Sequence, residues 1–335
     1  MTTPAVMKRP LCLYDVVARR TDVRPSAAPD DFKLGGCCYT DSLSIVDNSI
    51  LYCLDSAEER AYFTILDDVD GAYRSPFLYS VQYESAKHIL SVPFERLSEF
   101  IDSSNLFPTL IFSIGRCGST LLVSLLRALG APAVSEPSVF RQLIRSAEDG
   151  QLLNRRLVTV AVQTCTASIA QHFGGQPVIK LQSQCNYLIE AITYALPQYH
   201  AIFMFRESTT WARSVCRAFS YEPRGLAHRL AADIKSYDWL AQNHSGVQLV
   251  WYEDLVDRPE EVLRQLGALT DPVSADTRRR IYEVMAADSQ EGTRLSRQNL
   301  STREFRPNTS MKFRNEWEKV RPEALIERYG LARLG

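Results

Sequence analysis

The sequence is short of the features that would classify it at a glance. Among 335 residues, 38 Lys and Arg stand against 39 Asp and Glu, a formal net charge of -1. With no excess of either sign there is no global pull toward nucleic acid or an anionic membrane, so any anion must be held by a local site. No apolar run approaches the roughly 20 residues of a membrane span, and the opening stretch "MTTPAVMKRPLCLYDVVARR" lacks the apolar core of a signal peptide. These absences predict a cytoplasmic protein that is neither secreted nor inserted in a membrane. The eight cysteines, Cys12, Cys37, Cys38, Cys53, Cys117, Cys165, Cys185 and Cys216, show no C-x-x-C spacing, and the adjacent Cys37 and Cys38 suit no ordinary structural bridge. Reduced thiols are expected. Neither an internal repeat nor a low-complexity tract is evident.

What is present is a composition of 45% hydrophobic and 23% charged residues, enough to build one large domain or two smaller ones. Residues 1–100 read as strand-like runs, "SILYCL" and "AYFTIL", between polar turns such as "RPSAAPDD" and "DDVDG". They predict a β-rich or α+β N-terminal extension that carries no motif of its own and covers an edge of the main domain or shapes a substrate pocket. From about residue 107 the pattern changes to strand then helix. "TLIFSIG" precedes "STLLVSLLRAL", "PVIKLQ" precedes "NYLIEAITYAL", "HAIFMFR" precedes "TTWARSVCRAF", and "VQLVWYEDL" precedes "EEVLRQLGAL". Continuous apolar strands alternating with helices predict an α/β domain over 101–335, a P-loop-type parallel sheet flanked by helices. Ligands of such sheets bind beyond the carboxyl ends of the strands.

One of those ends is "IFSIGRCGSTLL", residues 111–122. An apolar strand runs into a glycine turn and then the first turn of an amphipathic helix, where amide groups without intrahelical partners and the helix dipole favour an anion. Gly115 and Gly118 let the backbone turn closely, Ser119 and Thr120 add hydroxyl donors, and Leu121, Leu122, Leu125, Leu126 and Leu129 form an apolar stripe that anchors the helix. The Walker pattern G-x-x-x-x-G-K-[ST] is not met, because the glycines are too close and no lysine follows. The cation is instead Arg116, whose planar fork suits an oxyanion other than magnesium-bound triphosphate.

With those residues in view, "GRCGSTLL" resembles the 5'-phosphosulfate loop of the sulfotransferases that use 3'-phosphoadenosine 5'-phosphosulfate (PAPS), especially bacterial members with R-x-G-S-T-L-L. Further matches come in order along the chain. Arg206 ends a strand and Ser214 lies eight residues on in the next helix, similar to the family's 3'-phosphate motif, although Ser208 stands where the family often has proline. "VWYEDLVDRPEEVLRQL" resembles the family's Y-E-D-L segment, in which Glu253 and Asp254 are read as structural. In "VIKLQSQ", Lys180 matches the lysine of the eukaryotic K-T-H motif, but Gln182 stands at the histidine position and an amide cannot act as a base. "VSEPSVF" resembles the glutamate-proline of a bacterial sugar-sulfating subfamily.

The resemblance covers about residues 107–320 and implies transfer of a sulfuryl group from PAPS to a small-molecule hydroxyl acceptor, leaving adenosine 3',5'-bisphosphate (PAP). It implies Gly115, Arg116, Cys117, Gly118, Ser119 and Thr120 around the 5'-phosphosulfate, with Arg206 and Ser214 on the 3'-phosphate. Lys180 would act at the departing oxygen and Glu136 as the base, with no metal. Read without the family, Glu136 before Pro137 is a helix-start residue, and the base stays open between it and one of the histidines at 88, 172, 200, 228 and 244. From "RLSRQNLSTREFRPNTSMKFRNEW", one or two of Arg294, Arg297, Arg303, Arg306 and Lys312 are expected on the 3'-phosphate. Tyr79, Tyr83, Phe94, Phe219 and Tyr221 are candidates to line an acceptor pocket. Neither nucleic acid nor membrane is expected as a partner, and a homodimer is left open. The rival readings are a P-loop small-molecule kinase using ATP and magnesium, and a catalytically inactive nucleotide-binding protein of the same fold.

Overall fold

Short apolar runs broken by turns give way, near residue 109, to strands separated by helices, and the computed structural model shows the same change. It describes residues 8–20, 27–40, 48–99, 101–148, 154–219, 221–303 and 308–335. The first block holds β1 (Leu11–Arg19), β2 (Phe32–Thr40), β3 (Ser49–Asp55), β4 (Arg60–Ile65), the short helices α1 (Val69–Arg74) and α2 (Leu78–Ser85), and β5 (His88–Pro93). After it come β6 (Thr109–Ser113), α3 (Ser119–Ala128), β7 (Ala133–Ser135), α4 (Ser138–Glu148), α5 (Arg155–Phe173), β8 (Val178–Lys180) and α6 (Ile189–Ala195). Next are β9 (His200–Phe205), α7 (Ser208–Phe219), α8 (Pro223–Asn243), β10 (Gln248–Trp251) and α9 (Tyr252–Asp257). The chain closes with α10 (Pro259–Gln265), α11 (Ala275–Ala286), α12 (Arg297–Ser301), α13 (Thr309–Val320) and α14 (Glu323–Arg328). The stretch "DDVDG", expected to be a turn, starts α1 instead. Asp68 caps it by accepting from the Gly71 amide at 2.7 Å, which satisfies one of the donors left open at a helix start.

The chain divides into two compact units. One comprises Met1–Pro108, Val134–Pro177 and Ala191–Tyr199; the other comprises Thr109–Ala133, Val178–Glu190 and His200–Gly335. The first is built on an antiparallel sheet of order β2-β1-β5-β4-β3. Helices α4 and α5 pack on β3, which accounts for the burial of every β3 residue but the last. Gln142 of α4 closes the free edge of β3 by pairing with both backbone groups of Leu54. Inside, the Gln82 amide donates to the carbonyl of Leu51 at 3.0 Å and accepts from the Ser138 hydroxyl at 2.5 Å. Asp31 accepts a 2.6 Å bond from the Tyr52 hydroxyl.

The second unit carries the expected α/β architecture, a sheet of order β10-β9-β6-β8-β7 whose fifth strand starts in this unit at Ala133. Its pairings β10 with β9, β9 with β6, and β6 with β8 are parallel. The central strand β6 is buried along Leu110–Ser113 because helices cover it, which is why its sequence is apolar throughout rather than alternating. In α3, Leu122 and Leu125 are fully buried and Leu121 and Leu126 nearly so. The apolar stripe thus holds the helix down while its start stays at the carboxyl end of the sheet. All eight cysteines are unbridged, with Cys37 and Cys38 exposed. No helix among the described residues is long and apolar enough to cross a membrane.

Candidate functional site

The glycine turn between β6 and α3 places three departures from ordinary backbone in four residues. Gly115, Arg116 and Gly118 have φ of 72°, 52° and 79°. Glycine adopts this left-handed region freely, whereas Arg116 does so at a cost, and such strain persists where the surroundings over-determine it. The surroundings are visible. The indole of Trp211, fully buried on α7, donates to the carbonyl of Gly115 at 2.8 Å, and Arg229 of α8 donates to that of Ile114 at 3.3 Å. Tyr252 lies so close to Gly118 that a Cβ there would fall 2.6 Å from its ring. With these carbonyls bonded from behind, the amides at the start of α3, which have no carbonyl one turn back, are the groups offered to a ligand.

Arg116, Arg206 and Ser214, far apart in sequence, are brought together. Arg116 donates to Gln290 Oε1 at 2.6 Å and, from Nε, to Ser214 Oγ at 3.4 Å. Arg206, just past β9, lies over the Tyr252 ring at 4.3 Å and donates to the carbonyl of Arg116 at 3.2 Å and to Thr210 Oγ1 at 3.3 Å. Burial, and after it the charge of Arg206, hold the Arg116 guanidinium below the usual arginine range. Among the described residues neither arginine has a carboxylate within ion-pair distance, whereas Arg258, Arg278 and Arg333 do. Asp288 attracts Arg116 only from beyond ion-pair distance and less than Arg206 repels it, so the two neighbouring, part-buried cations would be relieved by an anion. Arg258 shows the alternative arrangement, paired with both Asp254 and Glu261.

Lys180 ends β8, in register with Ile111 of β6, and is only 5% exposed. Its charge reaches the buried thiol of Cys117, which burial nevertheless pushes up above the ordinary cysteine range. Gln182, two residues on, is buried with its Nε2 unpartnered among the described residues, a donor left for something else. Glu253 accepts from the amide of Glu207 at 3.1 Å and so fixes the corner after Arg206, while Asp254 pairs with Arg258 and Arg333.

Glu136 belongs to the other compact unit. It lies between β7 and α4 with φ of 57°, and its carbonyl accepts from the Tyr79 amide at 3.2 Å. Like Arg116, it is a non-glycine residue in the left-handed region. Of the C-terminal basic residues, Arg303 is committed to the end of α7, donating to the carbonyl of Ala218 at 2.6 Å, and its Nη2 bonds the carbonyl of Arg294. The amide of Arg297 donates to Asp288 at 2.5 Å. Lys312 is exposed on α13, and Arg306 lies outside the described residues. Of the aromatic candidates, Phe219 and Tyr221 are exposed and in contact with each other, and Tyr79 stacks under Arg141.

Sequence reading missed Gln290, Tyr252, Trp211 and Arg229. Each touches the loop from more than ninety residues away, so no local motif joins any of them to it. Tyr252 and Trp211 do sit in recognised stretches, "VWYEDL" and the step from Arg206 to Ser214, but nothing in those stretches marks them as loop contacts.

The fold and site together define an α/β protein with a glycine turn, its helix-start amides open, at the carboxyl end of its central strand. No protein-family model and no curated protein matches the chain. Three solved structures to which it is similar are all sulfotransferases. The sulfotransferase domain from the Synechococcus PCC 7002 olefin synthase is 17% identical, with 63% of this chain and 89% of that one covered at a TM-score of 0.39. The sulfotransferase domain from the curacin biosynthetic pathway is 15% identical, with 68% and 98% covered at 0.39. A sulfotransferase from Mycobacterium tuberculosis H37Rv is 14% identical, with 70% and 80% covered at 0.36.

Proposed function

We propose that this chain is a sulfotransferase that moves the sulfuryl group of PAPS to a hydroxyl of a small-molecule acceptor. The observation that carries the reading is the convergence of Arg206 and Ser214 on Arg116 with no carboxylate of the described residues at ion-pair distance from either guanidinium. The order of motifs in the sequence supports it, and so does the lack of a Walker lysine in the loop.

In this reading Arg116 and the amides from Gly118 to Thr120 hold the phosphosulfate oxygens, and Arg206 and Ser214 hold the 3'-phosphate. Glu136 takes the proton of the acceptor hydroxyl. The bond that forms joins the acceptor oxygen to sulfur, and the bond that breaks joins sulfur to the 5'-phosphate oxygen. Lys180 neutralises the charge gathering on that departing oxygen, which is worth most in a buried, water-poor setting. PAP leaves, and no metal takes part.

Calorimetric titration with PAP, run beside ADP plus magnesium, tests the reading. Micromolar binding of PAP that is lost in Arg206→Ala supports it and justifies screening hydroxyl acceptors with labelled PAPS. Binding of ADP with magnesium and none of PAP would overturn it in favour of a kinase.

A further inference from the structure

Among the described residues of the second unit one carboxylate is completely buried, that of Asp233 on α8. Its Oδ1 accepts from Asn186 Nδ2 at 2.8 Å, and its Oδ2, without a hydrogen bond among the described residues, faces Arg229 Nε at 3.9 Å. Both partners continue outward to the working ends of the sheet. Asn186 also donates to the carbonyl of Ser113, the last residue of β6, at 3.0 Å. Arg229 donates to the carbonyl of Ile114 at 3.3 Å and to the hydroxyl of Ser183 at 2.7 Å. The contact is close: a Cβ on Gly115 would lie 3.1 Å from Ser183 Oγ and 3.5 Å from Arg229 Nη2.

The network therefore joins two strand ends. One leads into the anion loop, the other has just delivered Lys180. An imperfect buried pair of this kind is a poor source of stability, since the cost of removing two charges from water is seldom recovered at such a separation. Burial accordingly pushes the Asp233 carboxyl up to about 6 despite Arg229 and Asn186. A carboxylate retained there calls for another role.

We propose, resting on the sulfuryl-transfer reading, that Asp233 and Arg229 are positioning residues that hold the anion loop and the Lys180 strand end at a set spacing. Asp233 works through Arg229 and Asn186, and neither carboxylate oxygen touches the ligand. Removing its charge loosens both strand ends together while the core stays packed, because Asn fills the same volume and still accepts from Asn186.

The test compares the full-length parent with Asp233→Asn and Arg229→Lys, using hydrogen exchange of the amides at 113–119 and 181–186 and, with PAPS and an accepted hydroxyl, steady-state kinetics. In Asp233→Asn both segments should exchange about tenfold faster or more although the thermal midpoint is no lower than the parent's. Its kcat should fall by a similar factor with KM for PAPS within about threefold of the parent. Arg229→Lys, which keeps the charge but cannot fork to both acceptors, should fall between. Parent-like exchange in both variants overturns the proposal, and so does faster exchange with parent-like kcat, which would make the network merely structural. If Asp233→Asn does not fold, Arg229→Lys decides by the same criteria. Exchange requires no sulfuryl donor, so a parent that ignores PAP while the variants exchange faster sinks the sulfuryl-transfer reading alone.

Discussion

Arg206 reaches across from the end of β9 to donate to the backbone carbonyl of Arg116 at 3.2 Å, so one arginine holds the main chain from which the other projects. The bond joins the two halves of the proposed nucleotide site. Arg206→Ala should weaken PAP binding about tenfold to a hundredfold, the range expected when a charge-assisted hydrogen bond is lost. Arg206→Lys should recover part of this, since it keeps the charge but not the planar contact with Tyr252. Calorimetry with PAP would measure both, and equal affinity in all three proteins would remove Arg206 from the site.

Gly118 has no room for a side chain. Ala at this position would hold a left-handed backbone, at about 1–2 kcal/mol, and would press on the Tyr252 ring 2.6 Å away. Gly118→Ala should therefore lower the thermal midpoint by several degrees and displace the ring on which Arg206 rests, reducing PAP affinity as well. A variant with parent stability would show that the loop is looser than its geometry implies.

Asp233 also makes a prediction about pH. Burial raises its carboxyl from 3.8 to about 6 in the folded protein, so between those values the folded state binds a proton that the unfolded state does not. Its contribution is fully present below about 4 and is lost as pH rises through about 6, on the order of 2–3 kcal/mol. Measured by denaturant titration, Asp233→Asn should lack this fall, so the variant gains on the parent between pH 4 and 6. An unchanged difference across that window would mean that the carboxyl titrates normally.

In the N-terminal sheet unit, the buried Tyr52 hydroxyl donates to Asp31 at 2.6 Å, and the Ala28 amide donates to the same oxygen at 3.1 Å. Tyr52→Phe leaves the carboxylate one donor short and should cost about 1.5–3 kcal/mol, the usual worth of a hydrogen bond to a charged group. Denaturant unfolding followed by circular dichroism would detect it, and PAP binding should be untouched.

Glu136→Gln should retain PAP binding and lose turnover at every pH, because an amide cannot accept the acceptor's proton. Turnover at the parent rate would return the base to one of the histidines.

Much of the site was legible because it is contiguous. The run Gly115 to Thr120 declares itself by the sudden end of an apolar strand in a glycine turn, and Arg206 and Ser214 lie within one strand-helix step. The rest depends on chain segments that meet only after folding. Gln290 tethers Arg116, Tyr252 floors Gly118, and Trp211 and Arg229 hold the loop carbonyls, yet none belongs to a pattern with what it touches. The turn expected at "DDVDG" failed for a different reason: Asp68 is as good a helix cap as a turn residue, and its neighbours up to Gly71 decide between the two.

By itself the sequence determined the alternation of strand and helix, the glycine turn after β6 and the arginine in place of a Walker lysine, because periodicity and short-range stereochemistry are written locally. Tertiary structure alone decided which side chains support that turn, that α4 and α5 build the first unit with the N-terminal strands, and that Arg206 meets Arg116 with no carboxylate of the described residues at ion-pair distance from either. These are matters of distance between segments remote in sequence. Only packing, which trades chain entropy for buried contact, brings such segments to a few ångströms of each other.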